Sequence, residues 1–222
     1  MDMEEKKYLG ETDKGILWAE QSLELSQPWV DKRKVSLDKH QNDGEADYYY
    51  LISIEKHLGS NKIEPYFVIE FYNTYRDDPP KPFGNYLVRW HDYILIANKW
   101  CFHGINLRTF ETKRYPEFEI EYIDQVAVTV NDFGVFDRFY EIDGYLLVTD
   151  LIYIYCFDEH CSLVWITSDY VGHEGVSIIG YNNGFLEVRG EDWSCNYYFL
   201  STVDIKTGDV VINESKNYET KE

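Results

Sequence analysis

Beyond residue 82 the sequence never sustains a helical period. Short runs of Tyr, Phe, Val, Ile and Leu follow one another instead, most of them closed by Gly, Asn or Asp. Apolar or alternating runs of this length between turn residues define strands. They fall at 86–90, 93–98, 100–106, 118–123, 126–130, 133–140, 145–149, 152–157, 163–166, 176–179, 185–189, 197–205 and 210–212. The spacing predicts an all-β chain of antiparallel meander sheets with little helix, in a sandwich, barrel or propeller-like arrangement. Composition agrees: 20 Tyr, 12 Phe and 6 Trp make 17% of the chain, and these side chains suit a pleated, half-buried surface.

The N-terminal third is less uniform. The first fifteen residues are polar and read as a frayed end. Residues 16–25 fit two patterns: Leu23, Glu24 and Leu25 alternate as in a strand, whereas Leu17, Gln21 and Leu25 would share a helical face. Residues 30–37, 48–55 and 63–72 read as strands, the last interrupted near Pro65. Pro79, Pro80 and Pro82 remove backbone donors and fix φ, which makes the loop 76–83 an exposed connection. At 222 residues the chain fits one all-β domain, with that loop as the place where it would divide.

A faint internal repeat runs through the rest. Asp92-Tyr93-Ile94-Leu95-Ile96-Ala97 is similar to Gly144-Tyr145-Leu146-Leu147-Val148-Thr149 and to Gly184-Phe185-Leu186-Glu187-Val188-Arg189. A strand closed by a turn follows each copy, around Asn106, Asp158 and Asp204. Offsets of about 50 and about 40 residues approach the length of a four-stranded propeller blade. The last copy, Val203-Asp204-Ile205-Lys206-Thr207-Gly208-Asp209-Val210-Val211, resembles the closing hairpin of a quinoprotein-type propeller blade. That resemblance implies antiparallel strands arranged in blades. The tryptophan docking pattern of such repeats is not reproduced, although Leu163-Val164-Trp165 sits in a suggestive place.

Charge narrows the function classes. Forty Asp and Glu against 21 Lys and Arg give a net charge of −19, which opposes binding to nucleic acid or to an anionic membrane and favours a basic protein partner. The start Met1-Asp2-Met3-Glu4-Glu5-Lys6-Lys7 leads into no apolar stretch of signal-peptide length, and the longest apolar run, 151–157, is too short to span a bilayer. With the four cysteines at 101, 156, 161 and 195 read as reduced thiols, the expected location is cytoplasmic.

Four constellations have chemical potential. Cys156, His160 and Cys161, with Cys101 and His103, have soft-metal ligand types, but their spacing fits no zinc pattern and burial of the thiols is the simpler reading, so no metal or cofactor is expected. Nucleophilic catalysis by a cysteine requires a base beside it, and no nucleophile elbow or phosphate-cradling loop occurs. Glu187, Glu191, Asp192 and Trp193 cluster near one strand end, with Trp90 and Trp100 flanking His91 and Asp92; acids and indoles in such company suit a sugar face. Finally, Glu117, Glu119 and Glu121 alternate with Phe118, Ile120 and Tyr122, so a strand there would line carboxylates along one face. The expected function is a non-catalytic binding module for a basic protein, of the kind an immunity-type inhibitor of a basic toxin would be. Its binding residues would be Glu117, Glu119, Glu121, Trp90, Trp100 and Trp193. A carbohydrate-binding or glycoside-processing domain is the alternative.

Overall fold

The computed structural model describes residues 6–37, 45–46, 48–56, 62–72, 87–97, 102–115, 120–123, 126–129 and 137–218, with 120–123 and 126–129 described as backbone. Among these residues every regular element is a strand, as expected. The chain forms two compact units, Met1–Arg89 and Trp90–Glu222. The proline loop 76–83 lies outside the described residues.

In the first unit, β1 (Lys7–Thr12), β2 (Gly15–Ser22), β3 (Arg33–Leu37), β4 (Tyr48–Glu55) and β5 (Ile63–Phe71) form one sheet, ordered β1-β2-β4-β5-β3. Only β3 and β5 run parallel. The strand pattern prevails over the helical one in residues 16–25: Leu17 and Ala19 are buried while Trp18 and Glu20 are less so. Nor does the polar start fray throughout. Leu9 is buried, and the Thr12 hydroxyl donates to the Gly15 carbonyl at 2.8 Å, closing the turn that pairs β1 with β2. At Gly15 (φ +147°) a Cβ would stand 2.3 Å from the Glu55 carbonyl oxygen, so only glycine fits.

Three four-stranded antiparallel meanders follow. The first is β6 (Leu87–Trp90), β7 (Tyr93–Ala97), β8 (Phe102–Asn106) and β9 (Thr112–Tyr115). After a hairpin of β10 (Ile120–Ile123) and β11 (Val126–Thr129) comes the second: β12 (Arg138–Ile142), β13 (Tyr145–Thr149), β14 (Ile154–Phe157) and β15 (Leu163–Ile166). The third is β16 (Gly175–Asn182), β17 (Phe185–Asp192), β18 (Tyr197–Asp204) and β19 (Val210–Asn217).

The repeat seen in the sequence maps onto these sheets. Its first element is the second strand of each: β7, β13 and β17. Its second element is the turn between the third and fourth strands, built three times on one plan. The Asn106 side chain accepts from the amides of Arg108 and Thr109, Asp158 from His160 and Ser162, and Asp204 from Lys206. Each turn then passes through a left-handed residue, Phe110 (φ 63°), Cys161 (φ 54°) or Gly208 (φ 77°), whose amide bonds back to the carbonyl of that Asn or Asp. Side-chain acceptors of this kind pre-form turns from local sequence alone. The second and third sheets also open alike, with Asp143-Gly144 and Asn183-Gly184 both at positive φ, as a two-residue type I′ hairpin requires.

Consecutive sheets pack through these turns. Phe102 of β8 meets Phe139 and Phe157 edge-on, at 5.5 and 5.1 Å between ring centroids. Lys113 and the Tyr115 hydroxyl of β9 donate to the carbonyls of His160 and Cys161. Between the second and third sheets, Leu147, Ile154, Cys156 and Trp165 share a core with Leu186, Val188, Val203 and Ile205. The Trp165 indole donates to the Ile205 carbonyl at 3.1 Å and lies against Gly208, where a Cβ would come within 2.6 Å of the ring.

Candidate binding site at the end of the third sheet

The turn between β17 and β18 gathers the best-organised polar cluster on the exposed surface of the third sheet. Asp192 ends β17 and is 2% exposed. Its Oδ1 accepts from Ser194 Oγ at 2.8 Å and from the Cys195 amide at 3.0 Å; His173 Nδ1 lies 3.4 Å from Oδ2. The Tyr197 hydroxyl also donates to this carboxylate. Burial by itself would raise the Asp192 pKa. The hydrogen bonds from Ser194, Cys195 and Tyr197 outweigh it and hold the group below the ordinary aspartate value. Burial, then the bond to Asp192, pushes the Tyr197 hydroxyl upward.

His173 arrives from a distant part of the chain. The amides of His173 and Glu174 both donate to the Glu191 carbonyl, and the Glu174 carboxylate accepts from the Ser194 amide at 2.9 Å. The approach is close because residue 190 is glycine: a Cβ there would sit 1.8 Å from the Val171 carbonyl oxygen. The imidazole stacks on Phe199 (5.3 Å, 25°) and meets Tyr170 edge-on (5.0 Å, 74°).

The outcome is a clamped turn that carries Trp193 at 67% exposure. Its backbone is fixed from both sides, which reduces the entropy lost when the indole is buried by a partner. Ser194 spends its proton on Asp192 rather than on His173, so these groups do not line up as nucleophile, base and orienting acid. Glu191, on the opposite face of β17, pairs with Arg189 at 2.8 Å, and that guanidinium lies over the Tyr198 ring at 4.5 Å.

The other sequence-derived residues are dispersed. Trp90 is 3% exposed, and its indole donates to the Asp158 carbonyl at 2.8 Å, seating the first sheet on the second sheet's turn. Trp100, Glu117 and Glu119 lie outside the described residues; Glu121 is in β10, its backbone opposite Val128. A cavity of about 270 Å³ beside the β6–β7 turn is lined by His91, Asp92, Tyr93, Asn106, Glu159 and His160, with Asp92 paired to Arg108 at 3.0 Å. Cys156 and Cys161 are buried free thiols, and burial pushes both up to about 12, so they stay protonated and unreactive at neutral pH. Among the described residues no three His, Cys, Asp or Glu side chains converge as metal ligands.

Acidity is unevenly spread. The first unit holds 17 acidic and 12 basic residues, net −5; the second holds 23 and 9, net −14. The sequence reading grouped Asp192 with Trp193 but missed His173 and Tyr197. An Asp at a strand end followed two residues later by Ser is the local sign of a side-chain-capped turn, whereas the contribution of His173 depends on a tertiary approach.

The sequence matches no protein-family model and no curated protein.

Proposed function

We propose that the chain is a non-catalytic module that binds a basic protein, with Trp193 as its aromatic anchor and the acidic second unit as the steering field. The observation that carries this reading is the exposed indole on a turn held by the buried, fully engaged Asp192. Rigid aromatic anchors concentrate binding energy, while a net charge of −14 in one unit raises the encounter rate with a cation. An immunity-type inhibitor of a basic toxin is one member of this class, and a cytoplasmic setting goes with it. A quinoprotein-like succession of blades is the architecture we propose for the second unit, supported by the thrice-built turn and by Trp165 seated on Gly208. Carbohydrate binding is the second reading, favoured by the same exposed indole. The commitment of Asp192 to its turn speaks for the protein partner.

Pull-down from native lysate over a salt series, with wild type and Trp193→Ala in parallel, tests the proposal. A basic protein released by rising salt and held at least about tenfold more weakly by the variant is the expected outcome. Retention of no basic protein, or equal retention by the variant, refutes it. A saturable quench of tryptophan fluorescence by a glycan would establish the second reading instead.

A further inference from the structure

The third sheet ends in a long and almost wholly exposed strand. Its two outer strands, β16 and β19, have eight residues each, against four in β9 and β15, and β19 is the more exposed of the two. Seven of the eight residues of β19 are exposed. The sheet order stops at β19, and among the described residues no strand pairs with its free side. Its register against β18 is continuous from Ile212 to Asn217, the one break lying nearer its start, where Val203 faces Val210 and Thr202 faces Ile212. It contains no proline. Such an edge is a row of unsatisfied backbone donors and acceptors, and proteins ordinarily shorten, bend or charge it.

The side chains along this edge are complementary to themselves in the antiparallel sense. In Ile212-Asn213-Glu214-Ser215-Lys216-Asn217-Tyr218, a two-fold axis through Ser215 sets Ser215 opposite its own copy. It also sets Glu214 opposite Lys216, Asn213 opposite Asn217, and Ile212 opposite Tyr218, each pairing occurring twice. Alternation keeps Ile212, Glu214, Lys216 and Tyr218 on one face of the sheet, where Glu214 and Lys216 already lie 3.7 Å apart. Opposite charges and an aliphatic–aromatic contact are cross-strand combinations that stabilise antiparallel pairs, whereas the Asn213 amide is already held by the Ser201 hydroxyl and the Tyr170 carbonyl. The segment is also electrically neutral within a unit of net charge −14, so two copies approach there against the least repulsion.

We propose that this protein dimerises through β19, two copies joining edge to edge about Ser215 into one eight-stranded sheet. The interface is isologous, as a two-fold operator demands.

Charge reversal tests it. Glu214→Lys sets lysine against lysine in the copy, and Lys216→Glu sets glutamate against glutamate. An equimolar mixture of the two variants restores both attractive pairs in a heterodimer. Sedimentation velocity on the full chain, over concentrations up to hundreds of micromolar, reads the outcome; near-ultraviolet circular dichroism confirms that each variant is folded. Wild type is expected to move from 26.4 kDa towards twice that mass. Each variant alone is expected to dimerise about tenfold more weakly or worse, with the mixture regaining wild-type behaviour. A wild type that stays monomeric throughout, single variants that dimerise like wild type, or a folded mixture that fails to recover would each overturn the proposal.

Discussion

The second and third four-stranded sheets share one turn design yet bury their strands differently. In the second, β14 is buried at all four positions and β13 at four of five. In the third, β17 and β18 are buried at alternate positions only. Leu146-Leu147-Val148 and Ile154-Tyr155-Cys156-Phe157 are continuous apolar runs, whereas Leu186, Val188 and Gly190 alternate with Glu187, Arg189 and Glu191. A strand covered on both faces can be apolar throughout, and one with a single covered face must alternate. The comparison teaches that turn chemistry sets the path of the chain, while strand composition sets how many neighbours a sheet acquires. The sheet with one open face is also the one that carries Trp193 and the long edge β19.

The sharpest way to break this comparison is at the contact that gives the third sheet its covered face. Gly190→Ala would force a methyl to 1.8 Å from the Val171 carbonyl oxygen, a backbone atom that cannot swing aside. The expected loss is about 4 kcal/mol or more, or failure to fold, read by urea denaturation. A wild-type midpoint would show that the approach of Val171 to β17 contributes little to the fold.

A paired substitution comes next. Leu147→Ala removes a fully buried side chain of the second sheet and should cost about 3 kcal/mol. Ile212→Ala, on the exposed edge of the third, should change monomer stability by no more than about 0.5 kcal/mol. Similar losses at the two sites would abolish the distinction.

The smallest effect is graded and depends on pH. Cys156 and Cys161 have folded-state pKa values raised to about 12 from 9.0 by burial, so the unfolded chain gives up protons first as pH rises. The stability tied to the neutral thiols is therefore complete below about pH 9 and declines from there towards about pH 12. Thermal melts across that range should fall, and replacing both cysteines with Ala should flatten the slope. Mapping by mass spectrometry should find native-state alkylation at exposed Cys195 well before Cys156 or Cys161. Equal labelling would contradict their burial.

Much of this architecture was legible because strand periodicity and turn chemistry are local. Tyr48–Glu55, Tyr145–Thr149 and Leu163–Ile166 begin and end where the alternation and turn residues place them. β1 and β9 escaped because Lys7, Glu11, Lys113 and Arg114 leave too few apolar positions to show a period. These strands are specified by their partners: β9 by the ladder with β8, β1 by the turn at Thr12 and Gly15. β19 was foreseen only to Ile212, since Asn213-Glu214-Ser215-Lys216-Asn217 reads as loop unless β18 lies alongside. At the candidate site the sequence showed Asp192 beside Trp193. It could not show that the carboxylate is covered, because that burial depends on Gly190 admitting the segment that bears His173.

The seating of Trp165 on Ile205 and Gly208 has a consequence for biosynthesis. Forty residues separate the indole from the carbonyl that receives it, and the first three strands of the third meander lie between. Domains begin to organise as the chain emerges from the ribosome, N-terminal portions first. Here the middle sheet waits with an uncapped ring until the final hairpin has been translated, so its completion and that of the third sheet become a single event.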